Sequence, residues 1–172
     1  MRSSTVTMVT SRSGKPRHLT VSTYSLTDCG NAERLVDQHG DSIRFCRAAD
    51  NWFVWNGCRW AADGASAVQL AKKTVRAMQQ DRQLLSSQAD RDPTGFELLR
   101  SRADALAKWE TRSESAQRIT SMLRLAASDP RISAEPEDFD QNPWLLNLSN
   151  GTIDLRSAQI REHRPEEPRN RL

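Results

Sequence analysis

Cations at helical spacing are the side chains of this chain best suited to binding chemistry. Taken at about 100° per residue, Lys72, Lys73 and Arg76 fall on one side of a helix, with Gln79 and Gln80 close by. Val68, Ala71, Val75 and Met78 fall on the other. Ammonium and guanidinium groups on one face suit phosphates, because each phosphate they neutralise releases a condensed counterion. Arg112, Arg118 and Arg124 on neighbouring helical stretches extend the surface, with Arg100 beside them. A solvated helix face explains the same pattern without a ligand; phosphate contact is the sharper reading. On it, Lys72, Lys73, Arg76, Arg112, Arg118 and Arg124 are the candidate nucleic-acid-binding residues.

Other reactive side chains form no catalytic constellation. Glu135, Glu137, Asp138 and Asp140 are dense enough to suggest magnesium. With no histidine or phosphate-cradling loop beside them, they read as an acidic loop leading into the last hairpin. The chain has no GxxxxGKS/T, no HExxH and no GxSxG. His18, His39 and His163 are far apart in sequence, which suits solvent-facing or capping roles. Cys29, Cys46 and Cys58 are odd in number and form no CxxC pair, so separate reduced thiols are expected. No catalytic residue, cofactor or metal is expected.

At 172 residues the chain fits one ordinary domain. Its 37% hydrophobic content is low for a globular chain and suggests an unstructured portion. No apolar run reaches the ~18 residues of a membrane span, and no signal peptide is legible, so a cytoplasmic protein is expected. The net charge of +3 is unevenly spread. Arg2, Arg12, Lys15 and Arg17 make residues 1–26 +4, leaving 21 basic against 22 acidic residues elsewhere. Residues 65–128 carry 11 Lys or Arg against 7 Asp or Glu. Basic character therefore sits in a tail and one internal block, compatible with nucleic acid.

Residues 1–23 are rich in Ser, Thr, Arg and Lys without lasting periodicity, and read as a disordered basic arm. A fold is expected over residues 24–165. Thr27 or Asp28 caps a short helix with Ala32, Leu35 and Val36 on its apolar side, and Gly40 ends it in a left-handed conformation. Ile43 and Phe45, alternating with Arg44 and Arg47, read as a strand. Trp52-Phe53-Val54-Trp55 and Cys58-Arg59-Trp60 follow, joined by Asn56-Gly57, a type I′ hairpin signal. Alternation sets Trp52 and Phe53 on opposite faces, for core packing or for stacking on single-stranded bases.

Residues 66–127 switch to helical periodicity, with three helices expected. Asp92-Pro93 is expected to open the second of them, and Asp129-Pro130 to end the third. Trp144 to Leu148 and Thr152 to Leu155 flank a second Asn-Gly, a short strand over Gln159 to His163 follows, and residues 166–172 read as a frayed tail. The fold class is α+β: two small antiparallel β-hairpin or meander elements flanking a helical block of about three helices. Because a lone hairpin is barely stable in water, the two hairpins are expected near each other.

Several blocks carry a family likeness. They are Thr27-Asp28-Cys29-Gly30-Asn31-Ala32-Glu33-Arg34-Leu35-Val36, His39-Gly40-Asp41-Ser42-Ile43-Arg44-Phe45-Cys46 and Trp52-Phe53-Val54-Trp55-Asn56-Gly57-Cys58-Arg59-Trp60. With Lys108-Trp109, Ser113-Glu114-Ser115, Arg118-Ile119, Asn142-Pro143-Trp144-Leu145-Leu146-Asn147, Asn150-Gly151-Thr152-Ile153-Asp154-Leu155-Arg156 and Arg161-Glu162-His163, the chain resembles the poxvirus NTPase N-terminal-like domain of phage and plasmid primases. The likeness runs in order over residues 26–165. It implies a connector between an N-terminal primase or zinc module and a C-terminal superfamily 3 helicase, here cut free of both. The family often carries a Thr-Lys-Leu-like stretch where this sequence has Asn170-Arg171-Leu172. A truncated gene, a split gene and a short protein in its own right all fit.

The expected function is thus a non-catalytic DNA-replication accessory whose partners are DNA and a replicative helicase or primase, with no membrane. The alternative is a truncated or stand-alone protein-interaction module that regulates or interferes with a separately encoded helicase.

Overall fold

The computed structural model describes residues 24–139 and 142–165, and ahead of them the antiparallel pairing of β1 (Val9–Thr10) with β2 (Pro16–Arg17). The rest of the expected basic arm, and the tail over residues 166–172, lie outside the described residues.

Helix α1 (Asp28–His39) starts where the Thr27 hydroxyl accepts from the Gly30 amide at 3.2 Å, satisfying one free first-turn donor. Its end departs from expectation. Gly40 keeps a right-handed φ of −56°, and its amide still donates to Val36 O. The chain then enters β3 (Ile43–Cys46), β4 (Asn51–Trp55) and β5 (Trp60–Ala62), an antiparallel meander. Their Asn-Gly link is wider than a two-residue turn. Trp55 pairs with Trp60, and Asn56 Oδ1 accepts the Cys58 and Arg59 amides, both at 2.9 Å. A side-chain acceptor serving two amides stabilises this longer loop.

Alternation along β4 divides the core. Trp52 and Val54 pack against the helices, while Phe53 and Trp55 join Cys46, Trp60, Ala134 and Phe139 on the other side. The helical side is built by α2 (Gly64–Ala89), α3 (Phe96–Ser113) and α4 (Ala116–Ala126). The Asp63 carboxylate caps α2 by accepting from the Ser66 amide at 2.8 Å. Asp92 does not cap α3. It accepts from the Thr94 amide and hydroxyl at 3.1 and 2.6 Å, while its own amide closes the end of α2 on Gln88 O. Residues 92–95 are therefore the reversing turn of a helical hairpin, and α3 begins after Gly95.

After α4, β6 (Ser133–Ala134) pairs parallel with β3, giving a four-stranded sheet in the order β5-β4-β3-β6. Sequence reading anticipated antiparallel pairs alone. A parallel pair needs a long crossover and leaves no local turn signal. Here the connection runs through β4, β5 and the whole helical block.

Strands β7 (Leu145–Leu148), β8 (Gly151–Asp154) and β9 (Gln159–Arg161) form a second, antiparallel sheet. The turn residues are Ser149 and Asn150, one place earlier than expected, and Gly151 opens β8 at φ +156°. A Cβ there would lie 2.7 Å from Ile160 Cγ2, so only glycine lets β9 approach. The two hairpins are neighbours: Asn147 Nδ2 donates to Cys58 O at 3.2 Å, and the Trp60 indole to Pro165 O at 3.4 Å.

Candidate nucleic-acid interface

Helix α2 presents its cations as its periodicity requires. Ala71, Val75 and Met78 are buried, whereas Lys72, Lys73, Arg76, Gln79 and Gln80 are exposed. Lys72 and Arg76, one turn apart, line a cavity of about 290 Å³ with Val75, Glu114 and Ile119. Glu114 brings a carboxylate into that cavity, so an anion there meets two cations and one acid.

The other candidate cations have surroundings of their own. Arg112 is exposed in the last turn of α3, where a cation complements the negative end of the helix. Arg118 is already engaged: Nη1 is 2.8 Å from Asp28 Oδ1, and its guanidinium lies 4.4 Å from the centre of the Trp109 ring. Arg100 shares a shallow hollow with Lys108, Glu97 and Asp104, where the charges balance. Arg124 is exposed on α4 and lines a groove of about 420 Å³ against the tip of the β3–β4 hairpin. Of the six candidate residues, Lys72 and Arg76 share one cavity and Arg124 lines another groove.

Sequence reading missed the second cation of the Arg124 groove. The sequence places Arg47 in a strand, but β3 ends at Cys46, and residues 47–50 form a turn closed by the Asp50 amide on Arg47 O at 3.1 Å. That turn carries Arg47 and Asp50 over α4, beside Phe45 and Trp52, whose ring centres are 5.1 Å apart. The meeting of hairpin tip and helix is tertiary, so nothing local announces it.

The acidic run has a structural contact of its own. The Asp138 carboxylate accepts from the Glu135 amide at 3.0 Å and closes a 3-10 turn over Pro136–Asp138, so the acidic run works as a capped loop. Asp140 and His18 lie outside the described residues. Among the described residues no three His, Cys, Asp or Glu side chains converge as a metal would need, and Cys29, Cys46 and Cys58 are free thiols. His163 Nδ1 lies 3.1 Å from Thr152 Oγ1. Among the described residues no helix is long and apolar enough to cross a membrane.

One further surface is unusual. Strand register sets Leu146, Ile153 and Ile160 in a row across the second sheet, with Leu148 beside them. This apolar face is the outer one: Ile160 is 52% and Leu146 40% exposed. The opposite face carries Leu145, Asn147 and Thr152, and leans on the Cys58 loop. An outward apolar sheet face marks a contact surface more often than a solvated one.

A family model described as D5 N terminal like matches residues 32–170. No curated protein matches the chain.

Proposed function

The chain belongs to the D5 N terminal like family, among primase–helicase-related replication domains, and from that premise we propose that it is a non-catalytic connector that contacts DNA, a superfamily 3 helicase, or both. The observation that carries this is the extent of the match, which takes in the meander, the helical block and the second sheet. The exposed Lys72, Lys73 and Arg76 on α2 support the DNA contact. The sequence lacks the GxxxxGKS/T loop that positions a triphosphate in a P-loop motor, which supports the non-catalytic part of this reading.

Fluorescence anisotropy of a labelled DNA fork across a salt series tests the DNA contact. Affinity should fall steeply with salt, and Lys72→Ala with Arg76→Ala should flatten the log–log slope by roughly 0.7–0.9 per lost phosphate contact. Absence of binding at low salt would remove the DNA half and leave the helicase contact. Unchanged affinity in the double variant would clear α2.

A second reading is a protein-interaction module that regulates or interferes with a helicase encoded separately. The outward row of Leu146, Ile153 and Ile160 favours it, because such a face is covered by a protein partner more readily than by nucleic acid.

A further inference from the structure

We propose that the groove between α4 and the tip of the β3–β4 hairpin is a site for a single-stranded nucleotide, with the base against Trp52 and Phe45 and the phosphate between Arg47 and Arg124. This goes beyond the connector role. It joins Trp52, raised from sequence for base stacking, and Arg124 to Phe45 and Arg47 in one groove apart from the basic side of α2.

Three features of the groove converge. The first is an aromatic platform. Phe45 and Trp52 line the groove as a tilted pair at 56°, and each is only half-buried, so ring surface stays uncovered. Every base has a π-face, and stacking on such rings requires an unpaired, splayed base. A duplex, whose bases are stacked on one another, cannot supply it.

Charge is the second. Arg47 and Arg124 are both exposed, stand on opposite sides of the groove, and form no ion pair with the described residues. Arg47 is held on a closed turn and Arg124 on a helix, so neither support must order on binding. Guanidinium groups also add a cation–π contribution to stacked bases.

The third is the polar lining, which would otherwise count against an anion. Asp50 offers carboxylate oxygens. The hydroxyls of Thr120 and Ser128 already donate to Ala116 O at 3.0 Å and Leu125 O at 2.7 Å, so their free lone pairs are acceptors. Such acceptors suit the exocyclic amino group of a base, with the phosphate on the arginines at the rim. At about 420 Å³ the groove falls within the roughly 300–1,000 Å³ of small-ligand sites.

The experiment titrates the whole chain with a ten-nucleotide oligo(dC), reading tryptophan fluorescence and the anisotropy of the labelled oligonucleotide. Binding should quench fluorescence. Arg47→Ala with Arg124→Ala should lower affinity about tenfold or more, as should Trp52→Leu. Trp52→Phe, which keeps a ring, should retain most of the affinity and lose the quench. Because Trp52 also packs on the helical core, the arginine variant, changed at exposed positions alone, decides if Trp52→Leu unfolds. Lys72→Ala with Arg76→Ala should keep the quench, so a failed α2 contact is told apart from a failed groove. The proposal is overturned if the oligonucleotide does not bind, if the Arg47/Arg124 variant binds as tightly as the original chain, or if the quench survives undiminished in Trp52→Phe.

Discussion

Trp109 Nε1 donates to Asn31 Oδ1 at 2.9 Å, joining the end of α3 to the first turns of α1. Asn31 Nδ2 donates onward to Ser113 Oγ at 3.0 Å, and all three side chains are buried. Arg118 covers the Trp109 ring and pairs with Asp28, so α4 joins the same knot. Asn31→Ala leaves an indole donor and a hydroxyl without partners, and should cost about 2–4 kcal/mol, since each orphaned buried group costs roughly 1–3. Trp109→Phe should cost less than that, and the two changes together less than their sum, because they break one bond. Urea unfolding of the cycle measures this; strict additivity would show the bond contributes nothing.

Arg34 is 1% exposed, and its Nη1 lies 2.5 Å from Asp81 Oδ2 on α2. Asp81→Ala strands a buried guanidinium and should destabilise the chain by up to about 3 kcal/mol, reduced somewhat by solvent reaching the Asp81 side. Arg34→Met with Asp81→Leu, which removes both charges, should recover much of the loss. Thermal unfolding of the two variants compares them, and a double variant no more stable than Asp81→Ala would contradict this.

Tyr24 donates its phenol proton to Asp37, and its pKa is pushed up from 10.0 to about 12, chiefly because burial disfavours the phenolate and then through the Asp37 carboxylate. The unfolded chain releases that proton near its ordinary value. The contribution of Tyr24 is therefore complete below pH 10 and is lost as pH rises toward 12. Stability should fall across that window, and less so in Tyr24→Phe. Parallel pH profiles for both proteins would remove Tyr24 as the cause.

How legible these features were depends on how local they are. The face of α2 follows from the spacing of Ala71, Val75 and Met78, and the aromatic alternation of β4 from period two, so both were readable. The Asn-Gly turns were misread in detail. Asn56 Oδ1 bridges two amides of a wider first loop, and in the second the turn falls on Ser149-Asn150, with Gly151 in β8 packed close against Ile160 and Arg161. Pairing of Phe45 with Ser133, burial of Arg34 on Asp81, and Arg47 meeting Arg124 all join residues far apart in the chain. No window of sequence holds both partners.

The outer face of the second sheet gives a prediction for the interaction role. Leu146→Asp lies on an exposed strand position and should change stability by roughly 0.5 kcal/mol or little more, as surface substitutions do. If that face is a docking surface, the same change should abolish capture of the domain by a superfamily 3 helicase in a pull-down. Capture as strong as with the unaltered chain would assign the contact elsewhere.

Sedimentation velocity of the domain with a labelled DNA fork, with and without a superfamily 3 helicase at low salt, tests the connector role most directly. The expected result is that the domain sediments with the fork, with the helicase, or with both in one complex, and that no phosphate is released from ATP when the helicase is left out. A domain that sediments alone in every mixture, or that hydrolyses ATP by itself, would contradict it.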